Sequence, residues 1–380
     1  MSGNGQQRYK LLVVCEAMAT GIYFFLNSLL NRICDQYDIV VVYAERSETP
    51  KDIREQFDPR IRLIKMDAFR RGMDPRMILN ARKELRKIID AEKPDVIHLN
   101  SSMAGIAGRL AVVGTKIPTL YTPHLFAHLQ PNFSKVKRIV FQVAEWLLAR
   151  TGGYIIGVSR SEYEAAAKLT RRAGYVNNCI DVTLPPPAPT QHQPGEGLRA
   201  GTSGRILPQK CPHRFRELAP LVPQDTLVWI GDGELRTELE GLDNVQVLGW
   251  MSRRDAMKTV QGLDVFLLLS DSEGLSISLL EAMESGAVCI ASDIDANRQL
   301  LEDGVDGFLV KDAAEAAKVM DKIRAHEVDI NAIRARAYEK VIAQYNLDII
   351  TRSYSTVYTL AATGQLDEWI RAGRIKGVVQ

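Results

Sequence analysis

The sequence predicts an α/β protein built as two units, each a parallel sheet covered by helices. Three observations carry that expectation. Short apolar runs rich in branched residues, such as DIVVVYAE (38–45) and DVFLLLS (264–270), alternate with longer segments of helical periodicity, the pattern of βαβ units. At 380 residues the chain exceeds what one core ordinarily serves, so two units of about 180 residues are the natural division. One Pro-rich, low-complexity stretch, TLPPPAPTQHQPGEG (183–197), stands near the middle and reads as the linker. The expected units are residues 1–184 and 185–346.

Composition narrows the class. Apolar residues make up 46% and charged residues 25%, the proportions of a soluble globular protein. No stretch approaches the ~18 to 20 apolar residues of a spanning helix. The polar start MSGNGQQRYK does not read as a secretory signal. Five scattered cysteines without a C-x-x-C pair suggest reduced thiols rather than a disulfide frame or a zinc site, so a cytoplasmic protein is expected. The net charge of +2 hides an asymmetry: residues 1–185 carry +9 and the remainder −7. Either the first half meets an anionic surface or substrate, or the halves pair their charge.

In the first half the strands are KLLVVCEA (10–17), DIVVVYAE (38–45), IRLIKM (61–66), PDVIHLN (94–100), PTLYTPHLF (118–126) and GYIIGV (153–158). The loop after the first strand holds only Gly21, too little for a dinucleotide fingerprint. A basic helix is expected over 74–92, and the helix after Asn100 is expected to be capped by Ser101 or Ser102. His124 and His128 fall at the carboxyl end of the fifth strand. The segment SKVKRIVFQVAEWLLAR (134–150) has an apolar stripe and a basic start, and periodicity leaves open whether the stripe enters the core or faces an anionic membrane.

The most informative stretch is SDSEGLSISLLEAMESGAVCIASDIDANRQLLEDGVDGFLV (270–310). It reads as a turn at a strand end, a helix from Ser276 to Ser285 closed by Gly286, and a second strand. Open α/β sheets bind ligands at such turns. The amides of Gly274, Leu275 and Ser276 open the helix and favour phosphate. Glu273 and Glu281 beside them suit hydroxyls, and a nucleotide-sugar has both phosphates and hydroxyls.

The string EGLSISLLEAM-x2-G, followed by ASDI-x2-NR-x-LLEDG-x2-GFLV, closely resembles the retaining glycosyltransferases of family 4, glycosyl transferases group 1. Further matches are Gly204, Arg205 and Lys210 in a G-R-x4-K pattern and the Gly231-Asp232-Gly233 turn. The resemblance implies the GT-B fold: two Rossmann-like domains facing across a cleft, with a C-terminal helix (348–364) crossing back, so that 347–380 completes the first. It implies catalytic roles for Arg205, Lys210, Glu273 and His124, the two cations lying on the donor diphosphate and Glu273 near the donor sugar. Glu281 is implied to bind the ribose. Gly274, Leu275, Ser276, Gly231 and Gly233 complete the donor site. Cys211 and Cys179 replace glycines common in relatives.

The expected activity is transfer of a sugar from a UDP or GDP donor to a hydroxyl acceptor. Such relatives extend lipid-linked saccharides, so a polyprenyl-diphosphate-linked acceptor and peripheral contact with an anionic membrane at the inner face of the cytoplasmic membrane are expected. No cofactor, nucleic-acid partner or metal is expected; the Asp293-x-Asp295 pair invites a metal, but relatives have none. The alternatives are a sugar-nucleotide epimerase of the same fold, which needs no acceptor, and a non-catalytic partner protein.

Overall fold

A computed structural model describes residues 8–377 apart from 17, 19, 47, 48, 70–74 and 132, with Thr20 and Pro75 described in backbone only. By internal contacts the chain divides into two compact units: residues 8–129, 135–178 and 347–377 form the first, and 130–134 with 179–346 the second. The second unit therefore begins before the Pro-rich stretch. Ile180 bridges to Asn346, and the amides of Thr183 and Leu184 donate to the Glu284 carboxylate at 2.6 and 2.9 Å, so this segment is fastened to the second unit.

The first unit is an all-parallel sheet. Its strands are β1 (Lys10–Cys15), β2 (Asp38–Tyr43), β3 (Arg62–Lys65), β4 (Val96–Asn100), β5 (Thr119–Thr122), β6 (Tyr154–Gly157) and β7 (Ala173–Val176). In space they run β7-β6-β5-β4-β1-β2-β3, with the two-residue strand Lys376–Gly377 outside β7. β1 and β4 are buried along nearly their whole length; β1 reads as an apolar run, while β4 buries the polar His98 and Asn100 among its apolar residues. The basic helix is Pro75–Glu92; its expected start at Asp74 lies outside the described residues.

The second unit repeats the plan. β8 (Arg199–Ser203), β9 (Thr226–Ile230), β10 (Val245–Gly249), β11 (Val265–Leu268), β12 (Val288–Ser292) and β13 (Phe308–Val310) are arranged β10-β9-β8-β11-β12-β13, all parallel. The helix after β11, Ile277–Ser285, is capped by the Ser276 hydroxyl, which accepts from the Leu279 amide. It ends at Gly286, whose φ of 76° is the left-handed conformation that closes helices. Ala200, Leu227, Trp229, Val265, Leu267 and Ile290 fill the core.

One cap differs from the sequence expectation. The helix Ser102–Ala111 gets no side-chain cap from Ser101. Glu16, buried just past the end of β1, supplies the acceptors: its carboxylate takes the amides of Met103 and Ala104, at 3.3 and 3.0 Å, and the Ser101 hydroxyl. Burial holds the Glu16 pKa above the ordinary range despite these bonds.

The helix Leu347–Ala362 packs in the first unit through a buried polar junction. His98 of β4 is bonded by the Tyr358 hydroxyl at 2.8 Å and the Thr122 hydroxyl at 2.9 Å. Burial lowers the His98 pKa to about 3. The unfolded chain, with an ordinary value near 6.5, therefore takes up a proton that the folded chain refuses, and stability drains away as pH falls below about 6.5. The stability difference between wild type and His98→Gln should accordingly shrink by about 2 kcal/mol between pH 7 and pH 5 in urea titrations. A pH-independent difference would remove His98 from the acid response.

Candidate functional site

The spatial order of the second sheet reverses direction at one place. From β8 the chain goes outward to β9 and β10, then returns to lay β11 on the other side of β8. β8 and β11 pair only through Ala200 with Val265 and Gly201 with Phe266, although each continues two residues further. The strands therefore part toward their carboxyl ends, and a parting of this kind at a switch in strand order is where open α/β sheets take ligands.

The two loops leaving that point are laced together. The Lys210 ammonium lies 2.7 Å from a Glu273 carboxylate oxygen, both groups largely shielded from water. Gln209 donates its side-chain amide to Ser272 O at 2.7 Å, and the Asp271 amide donates to Gln209 O. Arg214 spans from Leu269 O to the Asp271 carboxylate. Arg205 stands half-buried just beyond β8.

The β8 loop is held equally close to β9. Trp229 donates its indole N–H to Gly204 O at 2.9 Å, and the Ile206 amide donates to Asp232 O. A Cβ at Gly231 would strike Gly204 O, and one at Gly233 would strike Ile206 O. Both glycines are thus required by backbone packed on backbone, a reason the motif alone does not give. Cys211, where the resemblance leads one to expect glycine, has φ 51° and ψ 59°, a left-handed conformation that glycine adopts without strain.

Glu281 lies one turn into the helix that starts beside Glu273 and is 8% exposed. Burial raises its pKa, and the Arg253 guanidinium 2.6 Å away opposes the rise. Arg253 was invisible to sequence reasoning: it follows β10, and only the sheet order brings it to Glu281. Glu284, three residues on, is the acceptor for Thr183 and Leu184 rather than a ligand group. Leu275 and Ser276 are turned inward, Leu275 into the core and Ser276 as the cap.

Asp293 and Asp295 both pair with Arg298, at 2.6 and 3.0 Å. Among the described residues no group of three His, Cys, Asp or Glu side chains is arranged to hold a metal.

His124 belongs to the first unit. Its Nε2 lies 2.9 Å from Asn100 Oδ1, its ring meets Phe25 edge-on, and burial pushes its pKa down to about 3. Its φ of 51°, with 89° at Leu125, places two successive residues in left-handed backbone. Strain of this kind collects at functional sites, at a cost of about 1–3 kcal/mol per residue. His128 is buried against Phe126, and burial lowers its pKa as well.

Fold and candidate site together define an α/β protein of two parallel-sheet units, with a parting of strands at a switch in strand order in the second. Residues 198–326 match the model of glycosyl transferases group 1, and residues 21–184 that of glycosyltransferase family 4. The protein belongs to this glycosyltransferase family. It is 26% identical over 342 residues to a UDP-Gal:α-D-GlcNAc-diphosphoundecaprenol α-1,3-galactosyltransferase of Escherichia coli, covering 82% of this chain and 86% of that one. Its fold is GT-B. The Anabaena protein HepE in complex with UDP and glucose superposes with a TM-score of 0.75 at 17% identity, over 93% of this chain and all of that one. Sucrose-phosphate synthase from Thermosynechococcus elongatus gives 0.77 at 16%, over 94% of this chain and all of that one.

Glu284 separates structure from chemistry within one helix. Glu284→Ala strands two backbone amides and should lower the unfolding free energy by about 1–3 kcal/mol while leaving the affinity for UDP unchanged. Unaltered urea stability would show that water replaces the carboxylate.

Proposed function

We propose that the protein is a retaining glycosyltransferase that moves a sugar from a UDP or GDP donor to a lipid-linked saccharide. The observation that supports the reading is the Lys210–Glu273 ion pair joining the loops that leave β8 and β11 where those strands part, with Arg205 just beyond β8 and Glu281 in the helix that follows β11. A donor diphosphate would lie against the start of the helix Ile277–Ser285, beside the loop that carries both cations. There Arg205, a fixed planar cation, and Lys210, a flexible ammonium, stabilise charge growing on the departing diphosphate. Lys210 carries three donors, so it can hold Glu273 and a phosphate oxygen together.

Glu281 accepts from the ribose hydroxyls, taking them in exchange for Arg253. Glu273 and the backbone of Gly274, Leu275 and Ser276 serve sugar and phosphate, and the Gly231–Gly233 turn closes the site beside the base. His124, neutral at physiological pH, exchanges hydrogen bonds with a sugar hydroxyl. The comparable position in the first unit is unsuited to phosphate. There the start of the helix Ser102–Ala111 is already occupied by the Glu16 carboxylate. With two cations and a helix end for the diphosphate, transfer needs no metal ion or cofactor.

The acceptor class rests on the Escherichia coli relative, whose substrate is a diphosphoundecaprenol-linked sugar. By extension the enzyme works at an anionic membrane surface, from the cytoplasmic side.

Glu281→Ala should weaken UDP binding, read by titration calorimetry. Lys210→Ala should depress turnover about 10²- to 10³-fold. Wild-type kinetics in both variants would refute the assignment. Activity should persist in excess chelator; loss reversed by magnesium or manganese would return Asp293 and Asp295 to the mechanism. The product's anomeric configuration, read by proton NMR couplings, should match the donor's. Release of an isomeric sugar without acceptor would make the protein an epimerase.

A further inference from the structure

The helix Lys135–Leu148 settles the question its periodicity left open, and settles it against burial of the stripe. Phe141, Glu145 and Leu148 face inward. The apolar stripe faces outward: Val136 is 73% exposed, Ile139 and Val140 58%, Val143 50%, Trp146 44% and Leu147 53%. Seen down the axis these six occupy one side of the helix, a band about 17 Å long.

The helix is held in this rotation by a buried contact. Glu145 meets the Arg109 guanidinium at 2.7 Å and accepts from the Tyr121 hydroxyl at 3.1 Å, with Arg109 stacked 4.2 Å above the Tyr121 ring. Turning the stripe inward would carry Glu145 away and leave the Arg109 guanidinium buried without its carboxylate, a large penalty. The exposed band is therefore specified by the fold, not left over from poor packing.

Its rim is cationic. Lys135 and Lys137, both exposed, stand at one end. At the other, Arg150 lies 3.3 Å over the Trp146 ring, a cation on an indole of the sort found at headgroup depth. The sole acid from 134 to 150 is the buried Glu145. A second copy of the chain docking on this band would bring these like charges together, which opposes self-association.

We infer that the helix Lys135–Leu148 is a membrane-docking element that lies in the plane of an anionic bilayer, its apolar band in the acyl boundary and its cations among the headgroups. The inference deepens the proposed function, since it rests on an acceptor presented at a membrane. Among the described residues no helix is long and apolar enough to cross a membrane, so contact of this kind is made from the surface.

The test uses the full chain with phosphatidylglycerol–phosphatidylcholine vesicles and with phosphatidylcholine alone. Wild type should co-sediment with the anionic vesicles, and release as salt rises. Ile139→Asp with Val143→Asp should weaken the partition at least tenfold, and so should Lys135→Glu with Lys137→Glu. All four positions are exposed, and a UDP-induced thermal shift equal to wild type verifies that the variants fold. Equal partition of wild type and both variants overturns the inference, as does equal pelleting with neutral vesicles. A wild-type dimer broken by the aspartates, seen by light scattering, would assign the band to a second copy and likewise overturn it. Absence of any shift with either UDP or GDP in wild type, with anionic binding intact, would instead refute the donor reading and leave the docking helix standing.

Discussion

Everything at the candidate site depends on one constraint: parallel strands deliver all their following loops to the same edge of a sheet. In the second unit that edge receives Gly204 to Cys211 after β8, Gly231 to Leu235 after β9, Arg253 after β10 and Glu273 to Ser276 after β11. No sequence-local force brings Lys210 to Glu273, which are 63 residues apart. The sheet order does it, by placing the first and fourth strands of the unit side by side. The first unit has the same arrangement, β1 beside β4, and its equivalent edge carries Glu16, Ser101 and His124. Two edges of the same topology have been given opposite electrostatics: a carboxylate fills the helix start of one, while a neutral serine and nearby cations stand at the other. That contrast, more than any single residue, supports the proposal that phosphate binds at the second unit.

The fold was legible in the sequence to the extent that burial shapes composition. β1, β2, β11 and β12 are buried nearly throughout, so they appear as largely apolar runs. β10 alternates between half-buried and exposed, and β3 is half-covered at best; both still read as strands because turn residues frame them. The site was legible where a motif marks it. What could not be read were the partners. Arg253 reaches Glu281, Glu16 reaches Ala104, and Glu284 reaches Thr183 only after the chain has folded, and each involves a charged residue that looks like ordinary surface in one dimension. The helix Lys135–Leu148 shows the same limit. An apolar stripe announces a face that avoids water but does not name what covers it.

Several of the chain's ionisable groups sit where burial opposes their charge: Glu16, Glu162, Glu281, His98 and His124. Three of these are committed to backbone or hydroxyl partners inside the first unit: Glu16 and Glu162 take main-chain amides, and His98 joins two hydroxyls. Glu281 is different. Its partner is the arginine that opens the helix Arg253–Gln261, a side chain 40% exposed, which another hydrogen-bond donor could replace at little cost to the fold.

The first unit is discontinuous in the chain, and this has a consequence for its birth. His98 emerges from the ribosome 260 residues before Tyr358, the hydroxyl that completes its junction. At about 5–20 residues per second that interval lasts roughly 10–50 s, during which the whole second unit is synthesised. The surface of β4 that the helix Leu347–Ala362 will cover stays open throughout, and the second unit, continuous from residue 179 to 346 apart from a five-residue strand of loop, is the part that can finish first. The amino-terminal half thus waits for the helix Leu347–Ala362, and a nascent chain that stops short of it leaves that face of β4 uncovered.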